Sequence, residues 1–245
     1  MLLSRMTWKQ VEDHIAKNGG VVLPTGSTEQ HGPMGMIGTD TICAGELAER
    51  AAQACGAICA PTLAYTPAPF NMRFPGTMSL SSELFTATVR ELLLGLESQG
   101  FVKIYVLNGH GANLEPAREA ATALTSAQIR ICSWWDFEEV NVLRRQWYGQ
   151  WEGMHATPSE IAITQALYEV LPEGEAATPP KALTPEYIAA HAGDRHGPPD
   201  EHRAEFPDGR VGSHSALARP EHGAALIEAA TKAIARDMAE FFGKG

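Results

Sequence analysis

The sequence predicts an α/β fold: a mostly parallel central sheet covered by helices on both faces. Two observations carry this expectation. Short apolar runs rich in Val, Ile and Leu alternate with stretches of helical periodicity, the pattern that builds parallel sheets. The residues best able to carry chemistry also follow directly after two of those runs, and in such sheets ligands bind beyond the carboxyl ends of the strands.

The elements follow in order. Residues 8–17 read as a helix, with Thr7 and Gln10 spaced as a capping box. VVLPT at 21–25 is a short buried strand, and residues 41–55 have helical periodicity. AICAPTLAY at 57–65 reads as a strand that ends in a Pro-rich segment. Residues 81–98 form an amphipathic helix between a serine cap and Gly100. FVKIYVLN at 101–108 is a strand, followed by a helix near 115–124. A strand at 128–135 and helices at 136–148 and 157–170 come next. Residues 191–218, rich in His, Gly and Pro, read as a loop, and the last helix spans 220–242.

The 245 residues suit one domain spanning 1–245, with ordinary apolar (44%) and charged (20%) fractions. A net charge of −10 argues against a nucleic-acid or anionic-membrane surface. It leaves an anionic substrate open, because bound cations reverse a local field. Cys43, Cys55, Cys59 and Cys132 form no C-x-x-C pair, so a reducing compartment is expected. No apolar run reaches membrane-spanning length and MLLSRMTWKQ has no apolar leader core, so the expected location is cytoplasmic.

Four segments hold candidate functional groups. STEQHGPMGMIGTD at 27–40 places Glu29, His31 and Asp40 around turn-forming glycines. It is either a solvated connection or a scaffold folding three ligands onto one point. Glu29 and His31 share a face in extended backbone, and Asp40 is the natural bridge between two cations. NGHGAN at 108–113 carries His110, either a ligand or a histidine in an ordinary βα turn, between Gly109 and Gly111, which leave the backbone open to a ligand. In WEGMHATPSE at 151–160, His155 and Glu160 could be a proton shuttle and a metal ligand. Glu160 has a second reading, because Thr157, Pro158 and Glu160 fit the cap, first and third positions of the next helix. RFPGTMSL at 73–80 offers the hydroxyls of Thr77 and Ser79. His14 reads as a surface histidine. His191, His196, His202, His214 and His222 read as parts of, or neighbours to, a solvated loop that could fold over the site.

Taken in order, GSTEQHGP…GTD at 26–40, FPGTMSL at 74–80, NGHGAN at 108–113, HATPSE at 155–160 and a weaker GSHSALARPEHG at 212–223 resemble the creatininase (creatinine amidohydrolase) family. The resemblance implies a three-layer α/β sandwich, a two-metal site, hydrolysis of a non-peptide C–N bond of a small molecule, and homo-oligomers, often hexamers. Matched by motif, Glu29, His31, Asp40 and His110 correspond to metal ligands, with Asp40 bridging. His155 corresponds to a histidine near the reacting group and Trp151 to an aromatic beside the pocket. Two departures matter. The family's ligating glutamate two residues after the NGH histidine is Ala112 here, and Glu160 is the expected replacement. Met34 stands where the family loop has a histidine, so the pocket mouth is expected to differ. Both turn the expected substrate away from creatinine.

The expected enzyme is a binuclear amidohydrolase for a small cyclic amide or formamide. Two divalent cations (Zn, Mn or Fe, since mixed Glu/His/Asp ligands accept all three) would supply hydroxide at neutral pH and polarise the carbonyl. His155 would protonate the leaving nitrogen, with Glu160 completing the catalytic centre. Ser79, N–H groups of Gly109 or Gly111, and Trp134, Trp135 or Trp151 would contact substrate. The alternatives are a peptide-end or nucleotide-formamide hydrolase on the same scaffold, or a non-catalytic metal-binding protein.

Overall fold

The computed structural model describes residues 1–17, 19–172 and 174–243. Four parallel strands, β1 (Val21–Thr25), β2 (Ile58–Cys59), β3 (Lys103–Asn108) and β4 (Gln128–Ser133), lie in the order β2-β1-β3-β4. Alternation along the inner strands divides the core in two. Val22, Tyr105 and Leu107 face α2 (Thr39–Cys55), α6 (Pro158–Leu167) and α9 (Pro220–Phe242). Val21, Leu23, Ile104 and Val106 face α1 (Trp8–Ile15), α3 (Ser82–Ser98) and α4 (Leu114–Ala121). The result is the expected three-layer α/β architecture. Shorter helices complete it: α5 (Glu138–Trp147), α7 (Pro185–Ala190) and α8 (Pro199–Glu205).

Local chemistry sets the helix ends. The Thr7–Gln10 capping box opens α1, and the Ser81 hydroxyl accepts the Leu84 N–H at 3.2 Å to open α3. Pro220 starts α9 and Gly243, in a left-handed conformation, ends it. The helix expected at 41–55 begins earlier, at Thr39, which puts Asp40 in a first turn instead of a loop.

Three expectations need correction. The strand expected at 57–65 is only Ile58–Cys59, with a later single bridge from Leu63 to Thr25. Ile58 and Ala60 donate to Gly20 and Val22, but Leu63 instead of Thr62 donates next, to Pro24, so the regular alternation of the ladder breaks there. His14 is buried and its Nε2 donates to the Gly20 carbonyl at 3.0 Å. The segment 191–218 is not a solvated loop: it contains α8 and buries His202 and His196. All four cysteines are free, and among the described residues no helix is long and apolar enough to cross a membrane.

Two glycines test the packing. A Cβ on Gly223 would lie 1.8 Å from the Ala162 carbonyl oxygen, where α9 crosses α6, whereas one on Gly95 of α3 meets nothing within 4 Å. Gly223→Ala is expected to lose about 1–3 kcal/mol of stability. Gly95→Ala is expected to gain about 0.5–1 kcal/mol, because alanine loses less backbone entropy in a helix. Urea unfolding midpoints measure both.

Candidate metal centre

The chain leaves β1 toward β2 on one side and pairs β1 with β3 on the other, which opens a crevice beyond the carboxyl ends of β1 and β3. Thr25 and Asn108 end these strands side by side, and the Thr25 hydroxyl donates to Asn108 Oδ1 at 3.0 Å. From Thr25 the loop carries Glu29 and His31 and then sets Asp40 in the first turn of α2. His110 follows Asn108 by two residues. His155 and Glu160 come in with the start of α6. All six side chains are buried and converge on one small volume.

Backbone carbonyls orient the three imidazoles. His31 Nδ1 donates to the Glu29 carbonyl at 3.1 Å, His110 Nε2 to the Pro67 carbonyl at 2.7 Å, and His155 Nε2 to the Gln30 carbonyl at 2.7 Å. Each ring therefore turns its other nitrogen inward. His31 Nε2 lies 2.9 Å from Asp40 Oδ1 and 3.8 Å from Glu160 Oε1. His110 Nδ1 lies 3.1 Å from Glu29 Oε1 and 3.2 Å from Asp40 Oδ2. His155 Nδ1 lies 3.6 Å from Glu29 Oε1. Glu29 Oε1 and Asp40 Oδ2 are buried and have no hydrogen-bond partner among the described residues. A carbonyl fixing one ring nitrogen while the other faces carboxylates is how proteins orient metal-binding histidines. The donors form three compact groups: Glu29, Asp40 and His110; His31, Asp40 and Glu160; and Glu29, His31 and His155. Asp40 gives one oxygen toward His31 and the other toward His110.

The charges of these buried groups are strongly coupled. Burial alone would lower the His31 pKa, but Asp40, by charge and hydrogen bond, raises it to about 10. Burial likewise opposes protonation of His110, yet Glu29 and Asp40 raise it well above the usual range. Burial would raise the Asp40 carboxyl, and His31 and His110 pull it down instead. Burial, then the charge of His31, holds His155 well below the usual range, so it is neutral. Protons on His31 and His110 stand where a metal would otherwise balance the carboxylates.

Glu160 holds two positions at once. It closes a capping box, taking the Thr157 N–H on Oε1 at 2.5 Å while the Thr157 hydroxyl accepts the Glu160 N–H at 3.3 Å. It also belongs to the His31–Asp40 group. The two geometries are compatible because a carboxylate has several lone pairs to share. Burial, above all, raises its pKa to about 8.

A cavity of about 240 Å3 opens over this group, lined by Gly109, Gly111, Trp134, Trp135, Arg144 and Met154 among others. Other expected contacts lie elsewhere. The Ser79 hydroxyl accepts the Ala68 N–H at 2.8 Å and donates to its neighbour's carbonyl, outside the cavity lining. Trp151 packs edge-on to His214, also outside that lining, and Trp134 and Trp135 form the flat wall instead. The Gly109 N–H is donated to Thr25 O at 2.8 Å and is not free for substrate. Met34 packs in the core and does not line the cavity.

Sequence reasoning missed two charged lining residues. Arg144 lies against the wall, paired with Glu152 at 2.9 Å and 5.8 Å from the Trp134 ring. Asp194 is largely buried, its side chain 11% exposed, with Oδ2 3.6 Å from His110 Nδ1, and burial raises its pKa to about 6. Arg144 sits on the exposed-looking helix 138–147 and Asp194 in a Gly/Pro-rich stretch, so neither has a local signal.

The protonation states give a direct prediction. His31 keeps its proton up to about pH 10 in the metal-free protein, but only a neutral imidazole binds metal. Cation uptake at pH 8 is therefore expected to release protons, and affinity to rise with pH. Titrating the metal-free protein with Mn2+ or Zn2+ in weakly buffered solution against a pH indicator measures this; uptake without proton release would contradict it.

The creatininase family profile (Creatinine amidohydrolase) matches residues 4–238. The chain is 28% identical to a 3-dehydro-scyllo-inosose hydrolase of Thermotoga maritima, over 98% of this chain and 84% of that one. It is 37% identical to the mycofactocin precursor peptide peptidase of Mycolicibacterium smegmatis, over 46% of this chain and 48% of that one. A solved structure described as Creatininase Mn superposes with a TM-score of 0.78 at 24% identity, covering 98% of both chains. The profile spans both core layers and every residue of the candidate site, and the chain belongs to the creatininase family.

Proposed function

We propose that the protein is a binuclear metal-dependent amidohydrolase that cleaves a C–N bond in a small amide. The supporting observation is the orientation of three imidazoles toward buried carboxylates: His110 and His155 toward Glu29 Oε1 and His110 also toward Asp40 Oδ2, oxygens otherwise without partners, and His31 toward Asp40 Oδ1. Glu29, Asp40 and His110 would hold one divalent cation, and His31, Asp40 and Glu160 the other, with Asp40 shared. Mixed carboxylate and imidazole donors suit Mn, Zn or Fe, and manganese is named for one structural relative. The cations supply a Lewis acid for the carbonyl and water of lowered pKa.

The protein's own groups do the rest. The cavity of about 240 Å3 admits a small substrate, and Trp134 and Trp135 give it a flat wall. Arg144, neutralised by Glu152, steadies that wall. Neutral His155 has its Nε2 proton fixed on Gln30 O, so Nδ1 is the atom that takes a proton and passes it to the leaving nitrogen. His155→Asn is expected to retain both cations and to lower kcat roughly 10²–10⁴-fold. Loss of a cation with the activity would make His155 a ligand instead, as its grouping with Glu29 and His31 allows.

The first test is elemental analysis of tag-free protein after remetallation. Two cations per chain support the reading, and none, even after remetallation, sinks it. The Ala112→Glu variant sharpens the result. With Glu160 in place, the added carboxylate is expected to bind no further metal. If it raises the count from one to two, Glu160 is a cap only. Hydrolysis assays with and without chelator, on cyclic amides, formamides and short peptides, identify the substrate class. The mycofactocin peptidase similarity favours a second reading, a peptide end, and chelator-sensitive turnover of peptides alone would establish it.

A further inference from the structure

The carboxylate that the sequence lacks at position 112 has a neighbour from far along the chain. Asp194 Oδ2 accepts the Ala112 N–H at 3.1 Å and lies 3.6 Å from His110 Nδ1. His110 Nδ1 is thereby surrounded by three carboxylate oxygens, from Glu29 at 3.1 Å, Asp40 at 3.2 Å and Asp194 at 3.6 Å. Glu29, Asp40 and His110 already form a compact donor group, and Asp194 stands just outside it, near His110. Donors on one metal with bonds of about 2.0–2.2 Å all lie close to one another, so Asp194 joins the group by moving inward. The approach is built in. A Cβ on Gly111 would lie 2.3 Å from Asp194 Oδ2, so glycine there lets the Asp194 carboxylate sit where it does. Asp194 itself has φ of 54°; it and Ala156 are the non-glycine residues with positive φ among those described, and both adjoin the site. Such a conformation is uncommon for a residue with a side chain and persists where the surroundings hold it.

We propose that Asp194 is the fourth protein ligand of the Glu29–Asp40–His110 cation, delivered by the segment after α7, so that loading this cation and docking residues 191–196 are one event. The proposal rests on the two-cation reading above. It adds to the carboxylate that Glu160 gives the other cation a second one, from residue 194, which reaches the site beside Ala112. Because the segment also lines the cavity through Ile188, Ala192 and Gly193, the same event shapes the substrate pocket.

The test measures Mn2+ and Zn2+ affinities by chelator competition in the parent protein and in Asp194→Asn and Asp194→Glu. Hydrogen exchange of residues 185–198 is followed with and without metal. Asparagine keeps the size and the acceptor for the Ala112 N–H, and thermal unfolding checks that each variant folds. The expected result is that Asp194→Asn weakens one of two cations by at least roughly tenfold and leaves the other unchanged. Metal should slow exchange in 185–198 of the parent but not of Asp194→Asn, and Asp194→Glu should recover most of both effects. Two equally tight cations in Asp194→Asn, or exchange in 185–198 that ignores metal in the parent, would overturn the proposal alone. A parent chain that binds fewer than two cations would overturn the two-cation reading and this proposal with it.

Discussion

The whole site depends on three hydrogen bonds from imidazole to backbone carbonyl. The carbonyls of Glu29, Gln30 and Pro67 each hold one ring nitrogen of His31, His155 and His110. A histidine side chain is free to rotate about two bonds, and these contacts fix both the rotation and the tautomer. Glu29 and Gln30 belong to the loop after β1, so the loop that supplies ligands also aims them. Pro67 lies in the chain after β2, which ties the outer strand to the same task. The inward nitrogens then face carboxylates whose own oxygens would be costly to bury unpaired.

The sheet makes that convergence possible. Its order places the reversal of winding between β1 and β3, so the loops after these strands leave in different directions around one crevice. Asp40 reaches the crevice from the first turn of α2, where the helix N-terminus favours a carboxylate. Glu160 does so from the first turn of α6, serving its helix as a cap while facing His31. Local stability and site geometry are thus carried by the same side chain.

Much of this was legible in the sequence because it is local. VVLPT reads as a strand from its apolar run, and the 220–242 helix from its proline start and glycine stop. Glu29, His31, Asp40 and His110 stood out because they follow strand ends, where the fold class concentrates ligands. What was hidden depends on distant contacts. The short β2 follows from a slip in the pairing, where Leu63 instead of Thr62 donates next to β1 after Ile58 and Ala60, at a position where apolar content alone suggests a continuous strand. Ser79 and Trp151 carry suitable groups, but those groups are engaged elsewhere. Asp194 sits 82 residues from the Ala112 N–H it accepts, and no periodicity or motif joins the two. His196 and His202 look like solvated loop residues until Phe70 is seen packed against both.

The central claim is that the buried donors hold a pair of cations with Asp40 between them. Anomalous diffraction from crystals of the manganese-loaded protein, collected at the metal edge, tests it most directly. The account predicts two peaks roughly 3.5–4 Å apart, one beside Glu29 and His110 and the other beside His31 and Glu160. A single peak, or peaks away from Asp40, would contradict it.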